Sequence, residues 1–202
     1  TFWTGQDHCG KFLDSIWNDP KILKFIPFAK KKNRYWDSEG NRISQKTVKQ
    51  CPSIVWHRKV SNPNVNEWLW LDRITWAVPR ELGGYRLNTM VAALHILWFL
   101  GFKNVYIVGA DFSMDKDNPY FFNENSDENK VNSNFELYRL TNEFFTKLNP
   151  LFVENGFFVY NCTPDSNLTA FPFVDYIDAL EKTKVIDNQN TKGMYAGLKS
   201  HG

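Results

Sequence analysis

Residues 85–120 read YRLNTMVAALHILWFLGFKNVYIVGADFSMDKDNPY, and this stretch decides the fold class. From Leu87 to Leu100 the chain is almost wholly apolar and holds no proline. That pattern predicts a helix covered on more than one face, with Asn88 or Thr89 capping its start. Gly101 stands where a helix stop wants a residue tolerant of positive φ. Three residues later Val105, Tyr106, Ile107 and Val108 form an apolar run without polar alternation, which predicts a strand covered on both faces, as in a parallel sheet. Helix, tight turn and buried strand together make an α-to-β connection.

In open α/β sheets ligands collect beyond the carboxyl ends of the strands. Gly109, Ala110, Asp111, Phe112 and Ser113 therefore fall at the expected mouth of a site. Glycine there lets a ligand approach the backbone, and Asp111 offers a carboxylate to a sugar hydroxyl, a ring nitrogen or a metal. The competing role for Asp111 is purely structural, capping its own loop.

Composition bounds the rest. The chain has 202 residues, 43% hydrophobic and 23% charged, enough for a full core and typical of ordinary globular proteins. A net charge of +2 gives no reason to expect nucleic acid as partner. Although aromatic residues reach 16%, no stretch attains the roughly 18 uncharged apolar residues of a membrane helix. Cys9, Cys51 and Cys162 are widely spaced without a CxxC, which indicates neither a disulfide framework nor a zinc ribbon and suits a reducing, cytoplasmic compartment. The N-x-T triplets at Asn161 and Asn167 are chance matches in that setting.

The expected organisation is one α/β domain over residues 1–183 and a loosely attached tail over 184–202. Thr1 to Thr4 resembles the second half of a strand, followed by a polar loop holding Asp7 and His8 and a short helix with Phe12, Leu13 and Ile16 on one face. His8 is the histidine best placed for acid or base chemistry, with solvent exposure as its commoner fate. Ile22 to Phe28 reads as a strand. Behind it Lys30, Lys31, Lys32 and Arg34 precede Tyr35 and Trp36, a cluster that grips a phosphate or stacks a base unless it is a solvated loop.

Residues 37–51 are polar and turn-rich, so a surface insertion is expected there. Residues 53–60 have strand composition, and His57 reads as a side chain on one strand face. Trp68, Trp70, Ile74 and Trp76 either line an acceptor cleft or belong to the core. Arg86 lies in the first turn of the long helix, where the helix dipole disfavours a cation, so an anionic partner is expected. His95 reads as a packed core residue. Residues 114–134, acidic and rich in asparagine, read as a lid loop. Leu137, Leu140, Phe144, Phe145 and Leu148 form the stripe of a later helix ended by Gly156. Phe157 to Tyr160 is another short strand, its polar loop runs from Asn161 to Asn167, and residues 173–180 form a closing helix.

The segment from Tyr85 to Met114, with Tyr120 and the later VYNCTPDSNL, resembles a superfamily of Rossmann-like proteins. It includes bacterial sialyltransferases that use a cytidine monophosphate sugar and archaeal-type 6-hydroxymethylpterin diphosphokinases. The resemblance covers about half the chain and implies a mostly parallel sheet flanked by helices. The family's first strand and its G-x-G-P-S nucleotide loop would precede Thr1.

Carried over residue by residue, the sialyltransferase likeness implies donor contacts at Asn88, Thr89, Gly109 and Ser166. It also matches Asp111 to the Asp of the same turn and Tyr120 to a tyrosine that stabilises the departing phosphate. Ser113 stands where those enzymes carry a second tyrosine. In the lid, where they place a histidine base, this chain has Asn132 or Asn134, and an amide cannot take that proton. His8 oriented by Asp7 is then the candidate base, with Asp111 in reserve and Arg86 as a phosphate ligand.

That reading implies a nucleotide-sugar donor, a glycan or other small acceptor and no required metal or cofactor. The diphosphokinase likeness instead implies ATP and Mg²⁺ with Asp111, Asp115 and Asp117. A binding domain of the same fold without catalysis is the third expectation. The sequence leaves the oligomeric state open.

Overall fold

The computed structural model describes residues 1–5, 14–32, 34–36, 42–60, 63–82, 88–113 and 128–183. It is a mixed α/β structure with short parallel sheets and flanking helices. Within the stretch expected as one domain, the chain forms two compact units, one over Thr1–Lys59 and one over residues 60–113 and 128–183 among those described.

The first unit contains β1 (Phe2–Thr4), α1 (Asp14–Asn18), β2 (Leu23–Pro27), β3 (Arg34–Trp36), β4 (Arg42–Thr47) and β5 (Ile54–His57). Strands β1, β2 and β5 form a parallel sheet with β2 in the centre. In register, Thr4 faces Phe25 and Pro27 faces His57. Trp17 of α1, Ile26, Val48 and Cys51 form the buried cluster, with Trp3 packed edge-on against Trp17 at 5.2 Å. Pro27 sits in the last position of the central strand, where a missing N–H costs the ladder least.

The polar segment expected as a surface insertion over residues 37–51 is largely structured. Residues 42–47 form β4, antiparallel to β3, and a 3-10 turn over Val48–Gln50 follows. Its anchors are Val48 and Cys51, both buried.

Lys24, in the middle of this sheet, is fully buried. Its Nζ donates to the carbonyls of Asp19 (2.8 Å), Ile22 (2.9 Å) and Pro52 (3.0 Å). Three donors meet three acceptors, so the ammonium is structurally satisfied. Burial lowers its pKa, against the raising influence of Cys51 and Asp19.

After β6 (Lys59–Val60), the second unit carries β7 (Ile74–Thr75), α2 (Thr89–Phe99), β8 (Asn104–Ile107), α3 (Glu128–Glu154), β9 (Phe158–Asn161) and α4 (Tyr176–Lys182). Strands β8 and β9 pair in parallel, Asn104 facing Phe158 and Ile107 facing Asn161. Helix α2 is the long apolar helix of the sequence, capped by Asn88 and stopped at Gly101 with φ 85°. Val91, Ala92, Leu94, His95 and Ile96 are buried, as a helix without a polar face requires.

Helix α3 brings Leu140, Phe144, Phe145, Leu148 and Phe152 into the core with Phe157, Val159 and Phe171. It also corrects the lid expectation: residues 128–134 belong to the helix, so Asn132 and Asn134 are helical, and Val131 is buried. The lid's remaining residues, 114–127, lie outside the described ones. The closing helix begins at Tyr176, capped by Asp175 through the Ile177 N–H at 2.8 Å, so Phe173 precedes it.

The aromatic residues expected to line a cleft divide. Trp68 and Trp76 are fully buried and Ile74 nearly so, whereas Trp70 is exposed and packs edge-on against Trp98 at 6.1 Å. His95 is a core residue, as expected. Its Nδ1 accepts the Thr75 N–H at 3.1 Å and its ring lies 4.4 Å from that of Trp68. With Nδ1 accepting, the neutral ring carries its proton on Nε2.

The strand expected to be covered on both faces is not. Val105, Tyr106 and Ile107 are half-buried, and Val108, beyond the strand's end, is 62% exposed. Among the described residues β8 has β9 as its single strand neighbour, which leaves its other side uncovered by sheet. No helix among the described residues is long and apolar enough to cross a membrane.

Candidate functional site at the carboxyl ends of β8 and β9

Because β8 and β9 run parallel and in register, their carboxyl ends lie side by side. The loops that follow are joined by a chain of hydrogen bonds. Cys162 N–H donates to the Ile107 carbonyl (2.8 Å), and Ala110 N–H donates to Thr163 Oγ1 (3.0 Å). Asn161 fixes its own loop twice: Oδ1 accepts from Thr163 N–H (3.0 Å) and Nδ2 donates to the Leu168 carbonyl (3.1 Å). Asn167 N–H donates to the Asp111 carbonyl at 2.8 Å, and its Nδ2 donates to the Phe112 carbonyl at 3.3 Å.

Ser166, a donor contact by resemblance, is part of this framework. Its hydroxyl donates to the Ala110 carbonyl and accepts the Leu168 N–H at 3.0 Å. Both functions of the side chain are thereby spent on backbone, one of them across the two loops.

The loops turn through the left-handed region at Gly109 (φ 72°), Phe112 (φ 52°) and Asp165 (φ 54°). For a bulky residue such as Phe112 this conformation costs on the order of 1–3 kcal/mol. It is held by the Asn167 bond and by burial of the ring, which stacks on Tyr138 of α3 at 5.1 Å and 29°. Strain kept at a strand's carboxyl end is a feature of binding loops. Gly109, Asp111 and Ser113 are exposed on this framework.

Beside the loops lies a cavity of about 190 Å³ lined by Phe112, Phe135, Tyr138, Arg139, Asn142 and Asn167. Arg139 is committed to two carboxylates: Glu136 in bidentate contact (2.7 and 2.9 Å) and Glu143 at 3.2 Å. Its pKa is raised by the hydrogen bond and charge of Glu136 first and those of Glu143 second. Asn142 is committed as well, accepting the Ala170 N–H (2.9 Å) and donating to Thr169 Oγ1 (3.0 Å). The helix positions 135, 138/139 and 142 form one stripe at helical spacing, a signal overlooked because the apolar core stripe dominates α3.

Asn88 and Thr89 stand at the start of α2. Asn88 Oδ1 accepts the Met90 N–H (2.8 Å) and Nδ2 donates to Thr141 Oγ1 (3.1 Å), while Thr141 in turn donates to the Leu137 carbonyl (2.7 Å). Its amide thus caps α2 and ties it to α3. Thr89, the first residue of the helix, is half-buried.

His8, Asp7, Arg86 and Tyr120, with Asp115 and Asp117, lie outside the described residues. Among the described ones no group of three or more His, Cys, Asp or Glu side chains could hold a metal ion. Cys51 and Cys162 are free thiols, and burial with the nearby Asp175 raises the pKa of Cys162. Comparison with protein-family models, curated proteins and solved structures returned no match.

Proposed function

We propose that this chain is a Rossmann-like, sialyltransferase-like protein that binds a nucleotide sugar at the carboxyl edge of β8 and β9. The observation that carries the reading is the pair of adjacent, parallel strand ends whose loops are fastened to one another while Gly109, Asp111 and Ser113 remain exposed. Rigid loops with an accessible glycine and carboxylate are what a donor nucleotide needs from this edge. The resemblance of the same segment to the sialyltransferases supplies the substrate class.

As an enzyme, the protein would pass the sugar to a hydroxyl of a glycan or small acceptor. Tyr120 would donate a hydrogen bond to the departing phosphate, and a general base would take the acceptor's proton. Asn88 and Ser166 act at one remove in this account, because their side chains hold the frame. The free thiols at Cys51 and Cys162 agree with a cytoplasmic setting.

A thermal-shift series tests the reading. Cytidine nucleotides and their sugar conjugates, without divalent metal, are expected to raise the melting temperature of the native chain and to have less effect on Asp111→Ala. Stabilisation by ATP only when Mg²⁺ is present would replace it with diphosphate transfer.

A further inference from the structure

The cavity beside β8 and β9 has a chemistry of its own, which the nucleotide reading does not use. Its described lining comes from one stripe of α3, with Phe135, Tyr138, Arg139 and Asn142, and from Phe112 and Asn167 in the two loops. At about 190 Å³ it falls below the roughly 300 Å³ at which clefts for whole small-molecule ligands begin, so it suits a single ring.

The lining divides into an aromatic part and a polar part. Phe112 and Tyr138 spend a ring face on each other, at 5.1 Å and 29°. Phe135, one helical turn before Tyr138, is 53% exposed and offers an aromatic face to whatever enters. An exposed ring at the rim of a cavity gains from being covered by an apolar surface.

On the polar side the charge of Arg139 is already answered. Glu136 accepts from Nε and Nη2, and Glu143 accepts from Nη1. One guanidinium between two carboxylates has no surplus positive charge to hold an anion. Those bonds use three of its five N–H groups, which leaves two to donate elsewhere. Across the cavity, Asn167 donates through Nδ2 to the Phe112 carbonyl, and its Oδ1 takes no hydrogen bond among the described residues.

Spare donors on a neutralised guanidinium, an amide oxygen and an exposed aromatic face match a sugar ring. The C–H face of the sugar covers the aromatic ring, while its hydroxyls accept from N–H groups and donate to the amide oxygen. A phosphate or carboxylate would meet the two glutamates instead. A nucleobase gains most between two rings, and Phe112 and Tyr138 are already stacked on each other.

We propose that this cavity is a saccharide subsite that takes one uncharged hexose ring, stacked on Phe135 and hydrogen-bonded by Arg139 and Asn167. The subsite stands without a nucleotide; under the transferase reading the sugar it holds belongs to the acceptor.

The probes are the methyl glycosides of glucose, galactose and mannose. Each is titrated into the native full chain and followed by saturation-transfer and chemical-shift NMR, with glucuronate, cyclohexanol and cytidine as controls. Saturable binding of at least one glycoside is expected, weakened roughly fivefold in Phe135→Ala, the scale of one aromatic contact. Phe135→Trp is expected to keep the affinity. Phe135→Leu, which retains apolar bulk should the alanine variant fold poorly, is expected to weaken it as the alanine does. No binding of any of the three glycosides would overturn the proposal, as would tighter binding of glucuronate or equal binding of cyclohexanol. So would cytidine held more tightly than every glycoside and lost in Phe135→Ala, or glycoside affinity indifferent to both Phe135→Ala and Phe135→Leu. Glycoside binding without any nucleotide response would sustain this subsite and remove the donor site, whereas a nucleotide response without glycoside binding would do the reverse.

Discussion

The two parallel sheet edges of this chain handle their polar residues in opposite ways. After β8 and β9, Asn161, Thr163, Ser166 and Asn167 are consumed by backbone groups of the two loops. After β2 and β5 come Lys30, Lys31, Arg58 and Lys59, next to His57, whose pKa burial lowers to about 4. One edge is a fastened frame of neutral side chains, and the other is rich in cations. A polar side chain in a loop is informative about ligands only after its hydrogen bonds have been counted.

Substitutions can break that contrast. The largest effect is expected at Asn161, which is 3% exposed and satisfies two buried backbone groups. Asn161→Ala should lower unfolding free energy by about 3 kcal/mol in urea denaturation, because a buried N–H and a C=O lose their partners. Ser166→Ala should cost less, about 1–2 kcal/mol, since its hydroxyl serves one donor and one acceptor in a partly buried place. A loss near zero would mean that the two loops are not fastened through Ser166.

Gly109→Ala isolates backbone strain. A Cβ built there meets nothing within 4 Å, so the cost is that of an alanine at φ 72°, about 1 kcal/mol. A much larger loss would show contacts at Gly109 beyond those of the described residues.

The smallest effect concerns the charged edge and depends on pH. Burial places the folded pKa of His57 at about 4, below its ordinary 6.5, with the Arg58 carbonyl opposing the shift and Lys59 adding to it. The unfolded chain then binds more protons between those values. This contribution to stability is present above pH 6.5 and is lost as pH falls toward 4. Melting curves of the native chain and His57→Gln should therefore converge on acidification through that window; parallel curves would contradict a buried neutral imidazole.

Much of the second unit was legible because its signals are strong. An almost wholly apolar run before Gly101 has few alternatives to a buried helix, and Asn88 is a cap by residue type. Strand β8 was placed to within one residue, yet its burial was misjudged, since an apolar run does not say how many neighbours the strand will have. Residues 128–134 looked like loop because ENKVNSN has weak helix propensity and a single apolar residue, Val131. The helix extends through them from its packed part, and Val131 is buried. Strand β4 was hidden for a similar reason: RISQKT is mostly polar, and its pairing with β3 is a tertiary fact.

At the site Gly109, Asp111 and Ser113 are exposed, while Asn88, expected both as a cap and as a donor contact, and Ser166, expected as a donor contact, make structural bonds. Residue type suited both a ligand contact and a structural bond, and only the partners distinguish them. Tyr138, Arg139 and Asn142 went unnoticed on a helix whose core stripe explained its pattern.

The central claim is that the β8 and β9 edge receives a nucleotide donor. Its most direct test is the melting temperature of the native chain and of Asp111→Ala with saturating cytidine nucleotides and nucleotide sugars, free of divalent metal. A ligand at about a hundred times its dissociation constant stabilises a fold by roughly 2.7 kcal/mol, a readily measured shift. Stabilisation of the native chain that is reduced in Asp111→Ala is the predicted result. No shift with any nucleotide, or equal shifts in both proteins, would contradict a donor site at this edge.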